Sequence, residues 1–349
     1  MKTRVAVACA IAAGGALACR DIVGIHDIAY DDAGTSSCNG GTPTLVFSSA
    51  QSYDWLTAQS GFLFAEVYTT GVDRCSVAGC TSPSSILSIA ANSTYWGSAI
   101  TPSAIDYAVQ GSGVLADGGT GGEIHTTALD GTNDKLTYVA SAQYPSWLGV
   151  NGAKIFWADD EYTNGGAGKD SVECIGCNGA GSTPWITGLP GGIYGVVADA
   201  NQVYVLADDA SITSLVVLAC STTTPCGATP RTVVTGLDSA TTSTQIASDG
   251  TYFYVAREST LDVARIDQTG KITEVVQSED VLAIAIDAAA NNLYFGTAAG
   301  VVGRVKSDGS GTVATLACNQ PSLSALAVDD TSVYFLGGAT TSTVSKLPK

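Results

Sequence analysis

Leu326–Gly337 reads LAVDDTSVYFLG: an apolar run, an Asp turn, an apolar–aromatic pair, and a short stretch closed by Gly. Short apolar runs on both sides of a turn suit buried strands joined in a hairpin. The phrase recurs as IAIDAAANNLYFG from Ile284, IASDGTYFYVAR from Ile246, VVADANQVYVLAD from Val196 and LGVNGAKIFWAD from Leu148. Two weaker copies precede these, AVQGSGVLAD from Ala108 and LTAQSGFLFAE from Leu56. Aligned on Phe64, Leu115, Phe156, Tyr204, Tyr254, Tyr294 and Tyr334, the copies are spaced by 51, 41, 48, 50, 40 and 40 residues. That period, with four strand-like segments per unit, predicts an all-β, seven-bladed β-propeller of four-stranded blades. Six blades is the alternative, should the degenerate first unit be an extra ribbon.

The last blade is one strand short. Blade six shows four segments, VLAIAID, NLYFG, VVGRV and GTVATLA, whereas only three follow Leu323. The missing outer strand is expected at the other end of the chain, in Thr44–Ser48 (TLVFS), which would close the ring and remove its exposed sheet edges. TYWGSAITPSA from Thr94 matches LTYVASAQYPS from Leu136, which predicts that Tyr95 lies on an outer strand of blade one. Asp199, Asp249, Asp287, Asp329 and Asn151 fall in the tight turn before each aromatic pair, where a side-chain oxygen accepts backbone N–H groups two residues on. Their recurrence marks them as scaffold.

The chain begins MKTR and continues with an apolar run from Val5 to Leu17, the pattern of an export signal too short to span a bilayer. Leu17-Ala18-Cys19 resembles a bacterial lipoprotein cleavage box, with Ala16 where Leu is usual. The resemblance implies a signal peptide over residues 1–18, a lipid on Cys19, a tether over 19–42 and the propeller over 43–349. It places the protein in the cell envelope, lipid-anchored to the bacterial outer membrane or cell surface, with a periplasmic or secreted protein as the alternative. Net charge is −17 with only 13% charged residues; such a surface repels nucleic acid and anionic lipid. Membrane attachment is therefore expected through the lipid alone, on a monomer.

Ten cysteines are present. Cys9 lies in the signal and Cys19 is the lipid site, so the remaining even number suggests disulfides in an oxidising compartment. Cys75 with Cys80, Cys174 with Cys177, and Cys220 with Cys226 share one place in the repeat, after the third strand. Cys38 and Cys318 are then left to pair and would lock the terminal strand. The CxxC spacing at Cys174 suits redox exchange only at a helix start, and no helix is expected there.

Ligand sites on propellers lie where blade-to-blade connections meet the loops between second and third strands. Two asymmetries fall at that end. Acids close the second strand in blades one to four (Glu66, Asp117, Asp159 with Asp160 and Glu161, Asp208 with Asp209), whereas blade five offers Arg257 and Glu258 and blades six and seven offer Gly296 and Gly337. Such an arc could hold calcium at the channel mouth or a basic partner. All five Trp (Trp55, Trp96, Trp147, Trp157, Trp185) lie in the first half, with Tyr107, Tyr144 and Tyr194 near the connections; exposed aromatics are the usual anchors of binding surfaces. The same blades carry the Gly-rich stretches DGGTGGE from Asp117 and TNGGAGKD from Thr163. The latter fails as a phosphate loop, with Thr163 at its first Gly position and Asp170 after Lys169.

Catalytic material is sparse. The two His, His26 and His125, cannot furnish a Ser-His-Asp set or a paired metal site. From residue 44 onward the chain resembles bacterial exported β-propellers of the NHL/YVTN-like kind, a group that includes lactonases and a streptogramin-cleaving lyase whose residue sets do not map here. The expected function is a non-enzymatic binding platform for a protein, peptide or glycan through blades one to four, without a cofactor. A metal-dependent hydrolase or lyase at the channel mouth and a structural surface protein are the alternatives.

Overall fold

The computed structural model describes residues 40–349, except 68–69, 90–92, 115–119, 141–144, 160–169, 179–180, 190, 211–213, 239–245, 258–261, 278, 322 and 339–340. Strand β1 (Thr44–Ser49) is followed by blade one, β2 (Tyr53–Gln59), β3 (Phe62–Val67), β4 (Gly71–Ser76) and β5 (Ser84–Ser88). Blade two comprises β6 (Thr94–Ile100), β7 (Ala104–Val114), β8 (Thr120–Ala128) and β9 (Lys135–Ala140). Blade three comprises β10 (Pro145–Asn151), β11 (Lys154–Asp159), β12 (Asp170–Ile175) and β13 (Ser182–Leu189). Blade four comprises β14 (Ile193–Ala198), β15 (Gln202–Asp208), β16 (Ser214–Ser221) and β17 (Arg231–Asp238). Blade five comprises β18 (Ile246–Ser248), β19 (Phe253–Arg257), β20 (Asp262–Ile266) and β21 (Ile272–Val276), and blade six β22 (Val281–Asp287), β23 (Asn292–Thr297), β24 (Val302–Lys306) and β25 (Ala314–Ala317). Blade seven joins β26 (Leu323–Val328), β27 (Ser332–Gly337) and β28 (Ser342–Pro348) to β1, in the order β1-β28-β27-β26. Seven four-stranded antiparallel sheets therefore form a seven-bladed propeller, and the N-terminal strand closes the last blade as expected.

The apolar face of each sheet packs on the next blade. Phe47, Tyr53 and Tyr334 join blades seven and one; Phe64, Tyr95 and Ile105 join one and two; Ile124, Ile155 and Trp157 join two and three. Phe156, Trp185 and Val203 join blades three and four, Tyr204 and Phe253 join four and five, Tyr254 and Phe295 join five and six, and Tyr294 and Phe335 join six and seven. Trp157 and Trp185 are fully buried in these contacts.

The turn Asp does more than hold its own loop. Oδ1 of Asp329 accepts from the N–H groups of Thr331 (2.7 Å) and Ser332 (2.8 Å), while Oδ2 accepts from the hydroxyl of Tyr334 (2.7 Å) on the following strand. Asp249 repeats the arrangement with Thr251, Tyr252 and Tyr254. In blades five and seven the turn Asp and the Tyr five residues on are thus bonded to each other. In blade six the turn is longer, Asp287 binds the side chain of Lys349, and the buried Tyr294 hydroxyl finds no hydrogen-bond partner among the described residues.

Blade two corrects the sequence reading. Tyr95 lies on β6, the first strand of blade two, and the outer strand of blade one is β5. AVQGSGV, expected to carry a first strand and its turn, lies within the long second strand β7. The true phrase was hidden because Thr101 replaces the turn Asp, its Oγ1 accepting from the N–H of Ala104 at 3.0 Å. Counting from that turn, the buried Asp106 takes the place of Tyr204, Tyr254 and Tyr334. It is satisfied there by the Thr126 hydroxyl at 2.6 Å, while burial raises its pKa.

Disulfides Cys75–Cys80, Cys174–Cys177 and Cys220–Cys226 each close a loop between third and fourth strands, with Cα separations of 5.6, 5.9 and 5.9 Å. Cys318 is also disulfide-bonded; Cys38, its expected partner, lies outside the described residues, as does Cys19. The N–H of Gly41 donates to the carbonyl of Leu316 at 2.7 Å, so the chain entering β1 runs beside blade six.

Two outcomes test the closure. Phe47 is 2% exposed and meets Tyr53 edge-on at 5.8 Å, so Phe47→Ala should cost about 3–5 kcal/mol in denaturant unfolding, whereas replacing Leu45, 59% exposed, should cost under about 0.5 kcal/mol. Peptide mapping of the non-reduced protein should return Cys38 linked to Cys318; any other partner for Cys318 would refute that pairing.

Candidate functional site

In every blade whose first strand is described from its start, that strand carries a β-bulge near its N-terminal end. The register slips between Tyr53 and Trp55, Tyr95 and Ser98, Ser146 and Leu148, Ile193 and Gly195, Val281 and Ala283, and Leu323 and Ala325. An extra residue on one strand re-aims its side chain away from the alternating pattern. The extra residues are Asp54, Trp96 with Gly97, Trp147, Tyr194, Leu282 and Ser324. They lie where first strands begin and second strands end, the face singled out by the sequence.

Blades two, three and four fill this position with aromatics. Trp96 is 44%, Trp147 40% and Tyr194 36% exposed, three of the few large apolar side chains left in solvent. Their neighbours build the bulge around them. Gly97 has φ 123°, a conformation only glycine adopts readily, and lets the chain step past Trp96. Trp147 itself has φ 44°, an outlier for a bulky residue and a form of strain found at functional positions. Behind Tyr194, Gly195 makes room for Ile246 of blade five, which a Cβ would strike.

The acids of the second-strand ends sit beside this row. Glu66, at the end of β3, is 8% exposed and reaches across to blade two. It accepts from the Tyr95 hydroxyl at 2.6 Å and the Ser98 hydroxyl at 2.8 Å, so its carboxyl spans the bulge that displays Trp96. Burial pushes its pKa up to about 7, against the pull of those two donors and with added repulsion from Asp54. Burial and the neighbouring carboxyl push the Tyr95 hydroxyl up as well. Asp208 accepts from the N–H of Gly192 at 3.1 Å and the Tyr194 hydroxyl at 3.4 Å, and Asp209 accepts from Ser214 at 2.5 Å. Asp159 is 4% exposed and pairs in register with Pro145, two residues before Trp147.

The expected site residues thus separate. Glu66, Trp147, Asp159, Asp208 and Asp209 share the predicted face. Asp117, Asp160, Glu161 and Tyr144 lie outside the described residues. Trp96, read from sequence as part of an outer strand, belongs instead to the exposed row, whereas Trp157, Trp185 and Tyr107 are core. Among the described residues no three His, Cys, Asp or Glu side chains converge as a metal set. His125, midway along β8, stacks on Tyr107 at 5.0 Å and lies 3.0 Å from Glu123 and 3.2 Å from Asp134. With both ring nitrogens facing carboxylates, it clamps the third strand of blade two to the loop before the fourth. A cleft of about 250 Å3 opens on the opposite face between blades five and six, lined by Asp249, Tyr252, Arg265, Asn291 and Asp308; Arg265 lies over the Tyr252 ring at 4.4 Å.

No family model matches the sequence, and no curated protein is similar to it in sequence. Solved structures share the fold. A chain of the mitotic checkpoint complex is 9% identical with a TM-score of 0.61, over 91% of this chain and 97% of that one. Puromycin hydrolase is 14% identical with a TM-score of 0.59, over 89% of this chain and 52% of that one. A computationally designed protein is 12% identical with a TM-score of 0.55, over 87% and 99% respectively. At these identities the likeness shows the propeller and nothing about activity.

Glu66 gives a pH signature. Below its ordinary value of 4.5 the group is protonated whether the chain is folded or not; between 4.5 and about 7 the unfolded chain releases a proton that the folded protein holds. Its contribution to stability is therefore greatest below 4.5 and is lost as pH rises towards 7, by about 3 kcal/mol in all. Glu66→Gln should remove this slope, so the variant gains on the wild type across that interval and the difference is flat above it. Parallel unfolding curves of the two proteins at all pH values would contradict this assignment.

Proposed function

We propose that the protein is an exported, lipid-anchored envelope protein whose propeller is a binding platform rather than an enzyme. Its ligand, a protein, peptide or glycan, is held on the face formed by the bulges of blades one to four. The observation that carries this reading is that the first-strand bulges of three consecutive blades each display an exposed aromatic. A propeller that needed only to stand would bury them, as it buries Trp157 and Trp185. Leaving a large aromatic in water forfeits about 1.5–3 kcal/mol of burial, and Trp147 adds backbone strain. Truncating such anchors in an interface commonly costs about 2 kcal/mol or more.

Export is supported by three disulfides in hairpin loops, a feature of oxidising compartments. The lipid anchor rests on the resemblance of Leu17-Ala18-Cys19 to a lipoprotein box. The test is a glycan and peptide array probed with the folded protein and with the combined variant Trp96→Ala, Trp147→Ala, Tyr194→Ala. Array ligands should weaken by tenfold or more in a variant that still unfolds cooperatively, since none of the three belongs to an apolar core cluster. Retention of every ligand by the variant would place the binding surface elsewhere.

A further inference from the structure

We propose that the junction between blades one and two is the seam at which the ring opens, and that Glu66 is the latch across it, closed while its carboxyl holds a proton and released when it ionises. Strands of every other pair of neighbouring blades run close together at several residues: β6 and β14 against β10, β14 and β22 against β18, β22 and β2 against β26. Among the described residues no strand of blade one lies so against a strand of blade two. Side chains span the gap instead. Phe64, Val72 and Leu87 meet Tyr95, Ile105 and Tyr107 in its apolar filling. Three polar stitches cross beside them. Ser60 donates to the Pro102 carbonyl at 3.1 Å, Arg74 donates to the Leu129 carbonyl at 2.8 Å, and Glu66 accepts from the Tyr95 and Ser98 hydroxyls. Of the three, only the Glu66 stitch changes charge between mild acid and neutral pH.

No cation holds this latch. Glu66 is 8% exposed, and the charge that acts on it is a second carboxyl, Asp54 on β2. The other titratable groups on the strands around it are taken. Asp73 on β4 accepts from the Tyr53 hydroxyl at 2.6 Å, and Arg74 beside it is spent on Leu129. On β7, Asp106 accepts from Thr126 and Tyr107 donates to Asp134. A protonated carboxyl is neutral and suits such a place. An ionised one is a buried charge compensated by two hydroxyl donors alone, next to another negative charge, and opening the seam returns it to water. In the closed seam burial pushes the pKa of Glu66 up to about 7, whereas an opened seam would restore its ordinary 4.5. Closure is therefore favoured most below 4.5, and each pH unit between the two values shifts the balance about tenfold towards opening. Trp96 stands between Tyr95 and Ser98, so the latch also sets how firmly the exposed indole is held. Mild acid fixes it, whatever the face binds.

Hydrogen exchange of the full chain, read by mass spectrometry and corrected for the intrinsic pH dependence of amide exchange, tests the latch. Between pH 5 and 7 strand β6 should lose protection by about tenfold or more, while β26, at the junction of blades six and seven, keeps its own. Glu66→Gln cannot ionise, so its β6 should be equally protected at both pH values. Ser98→Ala removes one of the two donors that stabilise the ionised carboxyl, so its loss of protection should be larger than in the wild type and continue to higher pH. This second variant keeps the test decisive should Glu66→Gln fail to fold. Protection of β6 that does not change with pH, or falls as far in Glu66→Gln, or is no more pH-dependent in Ser98→Ala than in the wild type, would overturn the latch. Loss of the same size in every blade would show opening of the whole ring and overturn the seam.

Discussion

Every apolar cluster in this propeller is shared between two consecutive blades, so no sheet can bury its faces until its neighbours are in place. Stability is a property of the closed ring, and closure hangs on one strand pairing, β1 with β28. That pairing supplies the outer strand of blade seven, ends an exposed edge that would otherwise template aggregation, and carries Phe47 into the contact between blades seven and one. Closure is reinforced from the C-terminus as well, where Lys346 donates to the carbonyl of Val77 in blade one at 3.0 Å and Lys349 binds Asp287 of blade six. The disulfides serve a more local purpose. They pin loops at the rim, and the loop closed by Cys220–Cys226 also bonds the outer strand of blade three, the N–H of Cys226 donating to the carbonyl of Trp185 at 2.9 Å.

How far this was legible in the sequence depended on whether an interaction lay within one repeat or between two. The turn residue and the aromatic that follows it are neighbours in the chain, so they recur as a phrase, and that phrase located five of the blades. The clasp was legible by subtraction, since blade seven lacked a strand and Thr44–Ser49 supplied one. Blade two was misread because it meets the same needs with other atoms: Thr101 for the Asp, and a hydrogen-bonded Asp106 in a slot that is elsewhere aromatic. With the phrase gone, chance similarity put Thr94–Ile100 on the wrong blade. The bond from Glu66 to Tyr95 was invisible for the complementary reason, because it joins residues of different repeats whose proximity only the ring creates.

The bulges show what the sequence reading of this face left out. Sequence alternation predicts which side chains face the core, but one extra residue breaks the alternation without changing the composition. Aligning the starts of the first strands would have exposed most of the pattern: Tyr194, Leu282 and Ser324 each stand five residues before the turn Asp, ahead of GVVA, AIAI and ALAV, whereas Trp147 stands four before Asn151. The bulge itself belongs to the scaffold, since it appears in blades that display Ser324 or Leu282. Only its occupant varies, and the aromatic occupants cluster in three adjacent blades.

That separation of fixed backbone from variable side chain has an energetic consequence for recognition. Side chains on packed strands lose little freedom when a ligand arrives, whereas residues on long loops must be ordered at the moment of binding. Trp96 is held between Tyr95 and Ser98, both fastened to Glu66 of the neighbouring blade, and Tyr194 is tied to Asp208. Glu66 and Asp208 thus spend hydrogen bonds on positioning the aromatics. The chain's overall negative charge would act at longer range, on the approach of a partner more than on its grip. In the proposed platform, affinity would then come from aromatics whose backbone is already fixed, which needs no change in the ring when the ligand binds.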